Sequence, residues 1–197
     1  MAGEIQLNGT SFASESSGTI TVNNGTIGSG VVFPAGHIIQ RSSFATYATQ
    51  TSTTATTAAT GLNILTASIS SLKKANTTIG LNFFVNVFHP DVGTGHIAFS
   101  RSINGAAVTY QFQNSGSTGY ANSAINVRNN PSSYSQGSFV SGYLSETLTN
   151  SVADSVEYRI LLYNSAGTFY VNRNDDSDSE SDNWAKSICN LQIMEIS

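Results

Sequence analysis

Five carboxylates alternate with serines in one short loop, and they are the side chains of this chain best spaced for chemistry. They are Asp175, Asp176, Asp178, Glu180 and Asp182. An oxygen-rich loop of this kind can bind calcium, and the last four residues are the candidate ligands. The EF-hand pattern fails, because Ser181 stands where glycine is needed and Ser187 where the bidentate glutamate should be. We therefore predict a solvated acidic loop without a metal, with calcium as the alternative.

Other side chains give little support for catalysis. Glu157 and Glu195 fall on predicted strands that could face each other, but paired acids act on a glycoside only within a cleft. No serine occupies a G-x-S-x-G elbow, and no glycine-rich phosphate loop connects a strand to a helix. His89, Asp91 and His96 could supply a metal site, but two histidines and one carboxylate on a loop are weak evidence. A surface or turn position is therefore expected for the three histidines, which include His37. The sequence thus predicts no catalytic residues, no cofactor and no enzyme activity.

The charge of the chain limits its partners. Charged residues make up 10% of the 197 residues, against roughly 25% in an ordinary soluble domain, and the formal net charge is −4. The few basic residues are scattered, so a nucleic acid is not an expected partner. No run reaches the roughly 18 apolar residues of a membrane span, and we expect neither a membrane contact nor a signal peptide. The single cysteine, Cys189, excludes an internal disulfide and is predicted to be a buried small hydrophobe rather than a reactive thiol.

The C-terminal third contains three strand-like runs. Residues 156–163 alternate in polarity with a period of two, with one face made of Val156, Tyr158, Ile160 and Leu162. Residues 164–167 form a turn, and residues 168–173 are predicted to return as the second arm of a hairpin. The last run, residues 187–196, is predicted to lie inside a sheet, because backbone pairing holds a terminus in place.

The rest of the chain also favours strands. Residues 79–88 are apolar on both faces, which predicts a central strand or one whose second face meets another subunit. Asn104-Gly105 separates residues 96–103 from residues 106–112 and predicts a hairpin. The Thr- and Ala-rich residues 50–60 indicate an exposed edge strand or a long hairpin tip. About ten short strands with frequent turns predict an all-β antiparallel β-sandwich, jelly-roll-like, over residues 35–197.

Residues 1–34 differ from this domain. Three short strand-like pieces, residues 4–7, 19–22 and 30–33, are too poor in apolar residues to form a core. We predict an extended N-terminal arm that adds strands to a neighbouring subunit or to another protein, with a floppy leader as the alternative. Candidate contact residues in the arm, and on the second face of residues 79–88, are Ile5, Leu7, Ile20, Val22, Val31, Val32, Phe84 and Val85.

Several motifs resemble a family of bacteriophage virion structural proteins, frequent in viruses of marine and aquatic bacteria, including cyanobacteria. They are FPAGHIIQ at residues 33–40, TGLNI at 60–64, the lysine-bearing turn and apolar strand at 72–88, YVNR at 170–173 and IMEI at 193–196. The resemblance covers roughly residues 32–197 and is weakest between 94 and 151. It implies a place on a virion and a homotrimer, and it supplies no catalytic residues.

The function expected from this resemblance is virion structure. We expect a capsid decoration, cement or head-fibre protein, assembled in the host cytoplasm, whose arm binds other phage structural proteins such as the major capsid protein or a tail component. The alternative is a tail-fibre or adsorption protein that binds host surface glycan through loops 114–120, 129–136 and 174–183. Aromatic residues that could serve either contact are Tyr110, Tyr120, Tyr134, Tyr143, Tyr163, Tyr170 and Trp184.

Overall fold

The computed structural model describes residues 3–7, 10–16, 19–22, 35–46, 50–52, 57–89, 93–112, 125–129, 136–164, 168–172 and 188–197. These ranges form strands and one 3-10 turn, with no α-helix among them. The strands are β1 (Gly3–Leu7), β2 (Thr10–Ser16), β3 (Thr19–Val22), β4 (Ile38–Thr46), β5 (Gln50–Ser52), β6 (Leu62–Ile69), β7 (Thr78–His89), β8 (Gly93–Ile103), β9 (Thr109–Gln111), β10 (Ile125–Asn129), β11 (Gln136–Thr147), β12 (Val156–Asn164), β13 (Phe169–Val171) and β14 (Cys189–Ile196); the 3-10 turn is Ala58–Thr60. No helix in the described ranges is long and apolar enough to cross a membrane.

The chain divides into two compact units, Met1–Phe33 and Pro34–Ser197. In the first unit, β1, β2 and β3 pair with one another in that order as a three-stranded antiparallel sheet. The sequence did not indicate β2, and the strand predicted at residues 30–33 lies outside the described residues. Strand exchange with a neighbouring chain stays a prediction.

The second unit is an antiparallel β-sandwich. In the larger sheet the order is β4-β14-β7, with β11 on the opposite edge of β7 and with β13 and then β5 extending the side occupied by β14. In the smaller sheet the order is β10-β8-β12-β6, and β9 pairs with β8 beside β10. The chain passes repeatedly from one sheet to the other, as in a jelly roll. The all-β sandwich predicted from the sequence is confirmed.

Strand β7 supplies much of the core. Its alternate residues Ile79, Leu81, Phe83, Val85 and Val87 are at most 5% exposed and face the smaller sheet. The ring of Phe83 meets Phe99 of β8 edge to face, with 4.9 Å between centroids, and so joins the two sheets. Because β7 pairs along both edges, the prediction that residues 79–88 form a central strand is confirmed.

The order of the last strands agrees in part with the sequence. Strand β14 lies between β4 and β7, which confirms that residues 187–196 enter a sheet. The predicted hairpin of residues 156–163 and 168–173 is wrong, because β12 belongs to the smaller sheet and β13 to the larger. The chain therefore passes from the smaller sheet to the larger one between β12 and β13.

Two further segments, residues 103–111 and residues 50–60, can be compared with the predictions from the sequence. Asn104 and Gly105 both have positive φ, 52° and 69°, and the amide of Ala106 donates to the carbonyl of Ile103 at 2.9 Å. This tight turn confirms the predicted hairpin, although its second strand begins only at Thr109. Residues 50–60 give a short strand, β5, whose one described neighbour is β13, and then a 3-10 turn in which Ala58 is buried.

A buried carboxylate organises one end of the sandwich. Glu195 on β14 is fully buried, and its Oε1 accepts hydrogen bonds from the backbone amides of Lys73 at 2.8 Å and Lys74 at 2.9 Å. Its Oε2 accepts from the side-chain amide of Gln40 on β4, which also donates to the carbonyl of Ser71 at 2.8 Å. The turn that carries the two lysines is therefore fixed by a carboxylate and by neither ammonium group.

A second polar group links the two sheets. Glu146 on β11 pairs with Arg101 on β8 and accepts a hydrogen bond from the hydroxyl of Tyr158 on β12 at 2.6 Å. Burial of this hydroxyl, followed by the charge of Glu146, raises the pKa of Tyr158 far above its ordinary value. The tyrosine is therefore a constant hydrogen-bond donor, and the group is a structural one.

Replacing Glu195 by alanine should destabilise the protein by about 2–3 kcal/mol, since two backbone amides and the Gln40 side chain would lose their charged acceptor. Glu157→Ala is the control, because Glu157 lies at the surface, where its pair with Arg159 contributes less than about 1 kcal/mol. Urea unfolding followed by circular dichroism measures both free energies of unfolding. Equal effects of the two substitutions would contradict the role given to Glu195.

Candidate functional site

The outer face of the larger sheet exposes aromatic rings beside amide side chains. We call this surface the aromatic face and define it by Phe84, Phe139, Tyr143, Asn82, Asn190 and Gln192. Antiparallel register sets these residues side by side, because directly paired residues project from the same face of a sheet. One row consists of Asn190, Phe84 and Ser141, and the next consists of Gln192, Asn82 and Tyr143.

The three aromatic rings of this face differ in their exposure to solvent. Phe139 is 62% exposed and Tyr143 is 54% exposed, whereas Phe84 is half-buried. Phe84 stacks with Phe139 at 5.8 Å between centroids and 26° between ring planes. The contact with the half-buried ring of Phe84 restricts the rotation of the exposed Phe139 ring.

Gly80 makes room for the ring of Tyr143. A Cβ atom placed on Gly80 would lie 2.7 Å from the hydroxyl oxygen of Tyr143 and 3.0 Å from its Cε2, and 3.1 Å from Ile196. The tyrosine ring therefore occupies the space above Gly80 that any other side chain would fill. A side chain at position 80 would have to push this ring off the sheet.

The aromatic face carries no charge along its three central strands. The outward positions of β7, β11 and β14 whose side chains are described, paired as register and alternation set them, hold no Asp, Glu, Lys or Arg. They hold amides and hydroxyls, of which Asn82 and Ser141 are exposed and Asn190 and Gln192 half-buried. Amides donate and accept hydrogen bonds at once, so the face can bind neutral polar groups without any ionic contact.

A groove on the smaller sheet is a second candidate. It encloses about 550 Å³ and is lined mainly by hydroxyl side chains, together with an ion pair. The polar lining residues are Ser68, Ser70, Ser102, Ser155, Glu157 and Arg159. The Arg159 guanidinium contacts Glu157 at 2.7 Å, and both side chains are partly exposed. The described lining has one large exposed apolar residue, Val108, and no aromatic ring, so the groove offers hydrogen bonds but little apolar contact.

Cys189 is buried, as the sequence predicts. Its thiol is fully enclosed, donates to the side-chain oxygen of Asn172 at 2.8 Å and accepts from the amide of Asn86 at 3.3 Å. Burial raises the pKa of the Cys189 thiol, so it stays protonated and is a poor nucleophile. The cysteine is part of the packing between β14 and its neighbours.

The other candidate groups for chemistry do not come together. Glu195 lies in the larger sheet at the end of the core, and Glu157 lies on the outer face of the smaller sheet, so the two acids do not face each other. His96 is buried and stacks on Tyr163 at 5.0 Å, whereas His37 is exposed. Within the described residues, no three His, Cys, Asp or Glu side chains are grouped as metal ligands.

The residues predicted for subunit or partner contact fall into three groups. The side chain of Val85 lies in the core and does not reach the surface, whereas Phe84 lies on the aromatic face. Ile5, Leu7, Ile20 and Val22 lie in β1 and β3. Val31 and Val32 lie outside the described residues, as do the calcium candidates Asp176, Asp178, Glu180 and Asp182.

Some residues of the aromatic face were not indicated by the sequence as site residues. Tyr143 is among the candidate aromatic residues of the sequence, but Phe139 is not. Asn82 was not singled out at all. The signal for them is the pairing of β11 with β7, which sets Tyr143 opposite Asn82 and Ser141 opposite Phe84. That register cannot be read from either strand alone.

No family model and no curated protein matches this sequence. Among solved structures, the chain is similar to the CBM22-1 xylan-binding domain of Xyn10C from Paenibacillus barcinonensis, with 12% identity, a TM-score of 0.36 and coverage of 84% of this chain and 98% of that domain. It is also similar to an exo-β-1,3-galactanase from Phanerochaete chrysosporium, with 15% identity, a TM-score of 0.22 and coverage of 81% of this chain and 32% of the galactanase. Similarities this weak carry no inference about ligand or activity.

Aspartate substitutions at two adjacent positions should separate the core from the aromatic face. Val85→Asp should prevent folding, because an unpaired carboxylate in the core costs several kcal/mol. Phe84→Asp should fold, because the side chain at position 84 reaches solvent. Circular dichroism and native mass by light scattering distinguish the two variants. A folded Val85→Asp protein of native mass would contradict the assignment of the core, and a lower mass for Phe84→Asp would show that copies meet at this face.

Proposed function

We propose that this chain is a bacteriophage virion structural protein, a capsid decoration or head-fibre protein that is fixed to the particle through its N-terminal unit. The observation that carries the proposal is the ordered set of motifs from residue 33 to residue 196, which resembles that family. In this proposal the protein is not an enzyme, forms a homotrimer, contacts the major capsid protein or a tail component, and is assembled in the host cytoplasm.

The N-terminal unit supports attachment through backbone pairing. Among the described strands, β1 and β3 each have one neighbour, so the three-stranded sheet has two open edges. Open edges present unpaired amide and carbonyl groups and are templates for an added strand from another chain. Ile5, Leu7, Ile20 and Val22 belong to these two edge strands, which are the ones an incoming strand would meet.

Removing residues 1–33 should leave a folded sandwich that no longer joins particles. The expected result follows from the division of the chain, because the described core residues of the second unit pack against one another. Incorporation is measured by mass spectrometry of particles purified from cells that express either the truncated or the full chain. The melting temperature of the truncated protein is the control for folding. Normal incorporation of a folded truncated protein would contradict attachment through the N-terminal unit.

A second function, adsorption to host surface glycan as a tail-fibre protein, is supported by the aromatic face. Exposed rings beside neutral amides are the groups that bind sugars, whose apolar faces stack on aromatic rings while their hydroxyls bind amides. A capsid decoration protein needs no such exposed surface for its attachment. The two functions predict different positions on the particle.

Antibodies raised against residues 34–197 should label intact particles over the head, as seen by electron microscopy, if the protein is a decoration or head-fibre protein. Particles that lack the protein are the control for specific labelling. Label confined to the tail tip would contradict the head assignment and support adsorption. Absence of label on intact particles, together with absence of the protein from purified particles by mass spectrometry, would contradict a virion function of either kind.

A further inference from the structure

The aromatic face has the composition of a site for an uncharged, polyhydroxylated chain. Its exposed apolar surface comes from Phe139 and Tyr143, both more than half exposed, and both rings are held in place, one by Phe84 and the other by the space above Gly80. Clustered exposed apolar surface marks contact sites, whereas single exposed apolar residues are ordinary. The rings are therefore an ordered platform for a ligand.

The polar groups between the rings restrict the chemical class of the ligand further. Asn82 pairs directly with Tyr143 across β7 and β11 and with Gln192 across β7 and β14, so an exposed amide lies beside the tyrosine ring. Asn190 takes the corresponding place beside Phe84. The outward described polar side chains of these three strands are amides and hydroxyls, so the strands offer no ionic partner for a carboxylate, a sulfate or an ammonium group. Outside them, the exposed Arg41 of β4 projects from the same side of the larger sheet, in the row of Met194 and Gly80.

We propose that the aromatic face binds a neutral oligosaccharide segment, with the Tyr143 and Phe139 rings stacked against sugar rings and the Asn82 amide hydrogen-bonded to sugar hydroxyls. This inference rests on the second function above and names its ligand class. The three strands of the face are paired to one another, so the platform is rigid and a ligand loses little affinity to ordering the protein. A peptide or a second copy of this chain is the competing occupant.

The smaller-sheet groove is a less suitable position for the same ligand. It supplies serine hydroxyls and the Glu157–Arg159 pair, but Val108 is the one large exposed apolar side chain of its described lining. Sugar stacking requires a ring, and no ring lines this groove. The two surfaces belong to different sheets, so substitutions in one leave the other unchanged.

The test uses the full chain and a panel of neutral hexasaccharides built from glucose, xylose, mannose or galactose, with acidic hexauronates beside them. Isothermal titration calorimetry should detect binding of at least one neutral member. Tyr143→Ala and Phe139→Ala should each weaken it at least tenfold, and Asn82→Ala should weaken it several-fold. Tyr143→Phe should retain binding, because the ring remains.

Phe44→Ala is the matched control. Phe44 is 47% exposed and pairs with the core residue Leu191, so it projects from the opposite side of the larger sheet. This variant loses an exposed phenylalanine and should bind the hexasaccharide like the native chain. Circular dichroism and native mass by light scattering, measured on every variant, verify that fold and assembly are unchanged.

Four results would overturn the proposal. They are no binding to any neutral member of the panel, undiminished binding by Tyr143→Ala and Phe139→Ala, binding of the hexauronates in preference to the neutral sugars, and a lower native mass for these variants, which would make the face a contact between copies. Incorporation of the same variants into particles is measured in parallel. Normal incorporation without sugar binding would reject this inference and leave the virion function standing.

Discussion

The two-residue repeat of strand β7 is the constraint on which the rest of the sandwich depends. Because β7 is paired along both edges, its backbone cannot rotate, and every second side chain must enter the core. Phe83 therefore meets the smaller sheet, while Phe84, the next residue, stacks on Phe139 at the opposite surface. A shift of the register by one residue would exchange these two sets, so the core and the aromatic face are specified together.

Because the chain has few charged residues, the contacts of each enclosed carboxylate indicate what that charge contributes to the fold. Glu195 fixes a turn through backbone amides, and Glu146 joins the two sheets through Arg101 and Tyr158. Both acids form hydrogen bonds within the sandwich, whereas the aromatic face consists of rings, amides and hydroxyls. A contact made by such groups is screened little by salt, in contrast to one made by opposite charges. The surface is thus suited to media of varied ionic strength.

Much of the fold could be predicted from local patterns, but pairing between distant strands could not. Alternation and the Asn104-Gly105 turn located most strands of the second unit and the hairpin of β8 and β9. The turn after β12 was misread, because a short polar turn looks the same whether the chain reverses in one sheet or crosses to the other. Val85 was assigned to a contact because an apolar run does not show which face meets the core. The aromatic face depends on pairing of β7 with β11, which is long-range information.

The first and last strands of the sandwich meet, and this has a practical consequence. The amide of Gly36 donates to the carbonyl of Ser197 at 3.0 Å, at the end of the larger sheet where Thr78 pairs with both Thr147 and Ile196. Phe139 lies eight positions from Thr147 along β11, about 27 Å at 3.4 Å per residue. A tag, dye or carrier protein joined at residue 197 would emerge far from Phe139 but close to Tyr143, because Ile196 and the Tyr143 hydroxyl both border the space above Gly80. A sensor surface joined at residue 197 would therefore leave Phe139 accessible and crowd Tyr143.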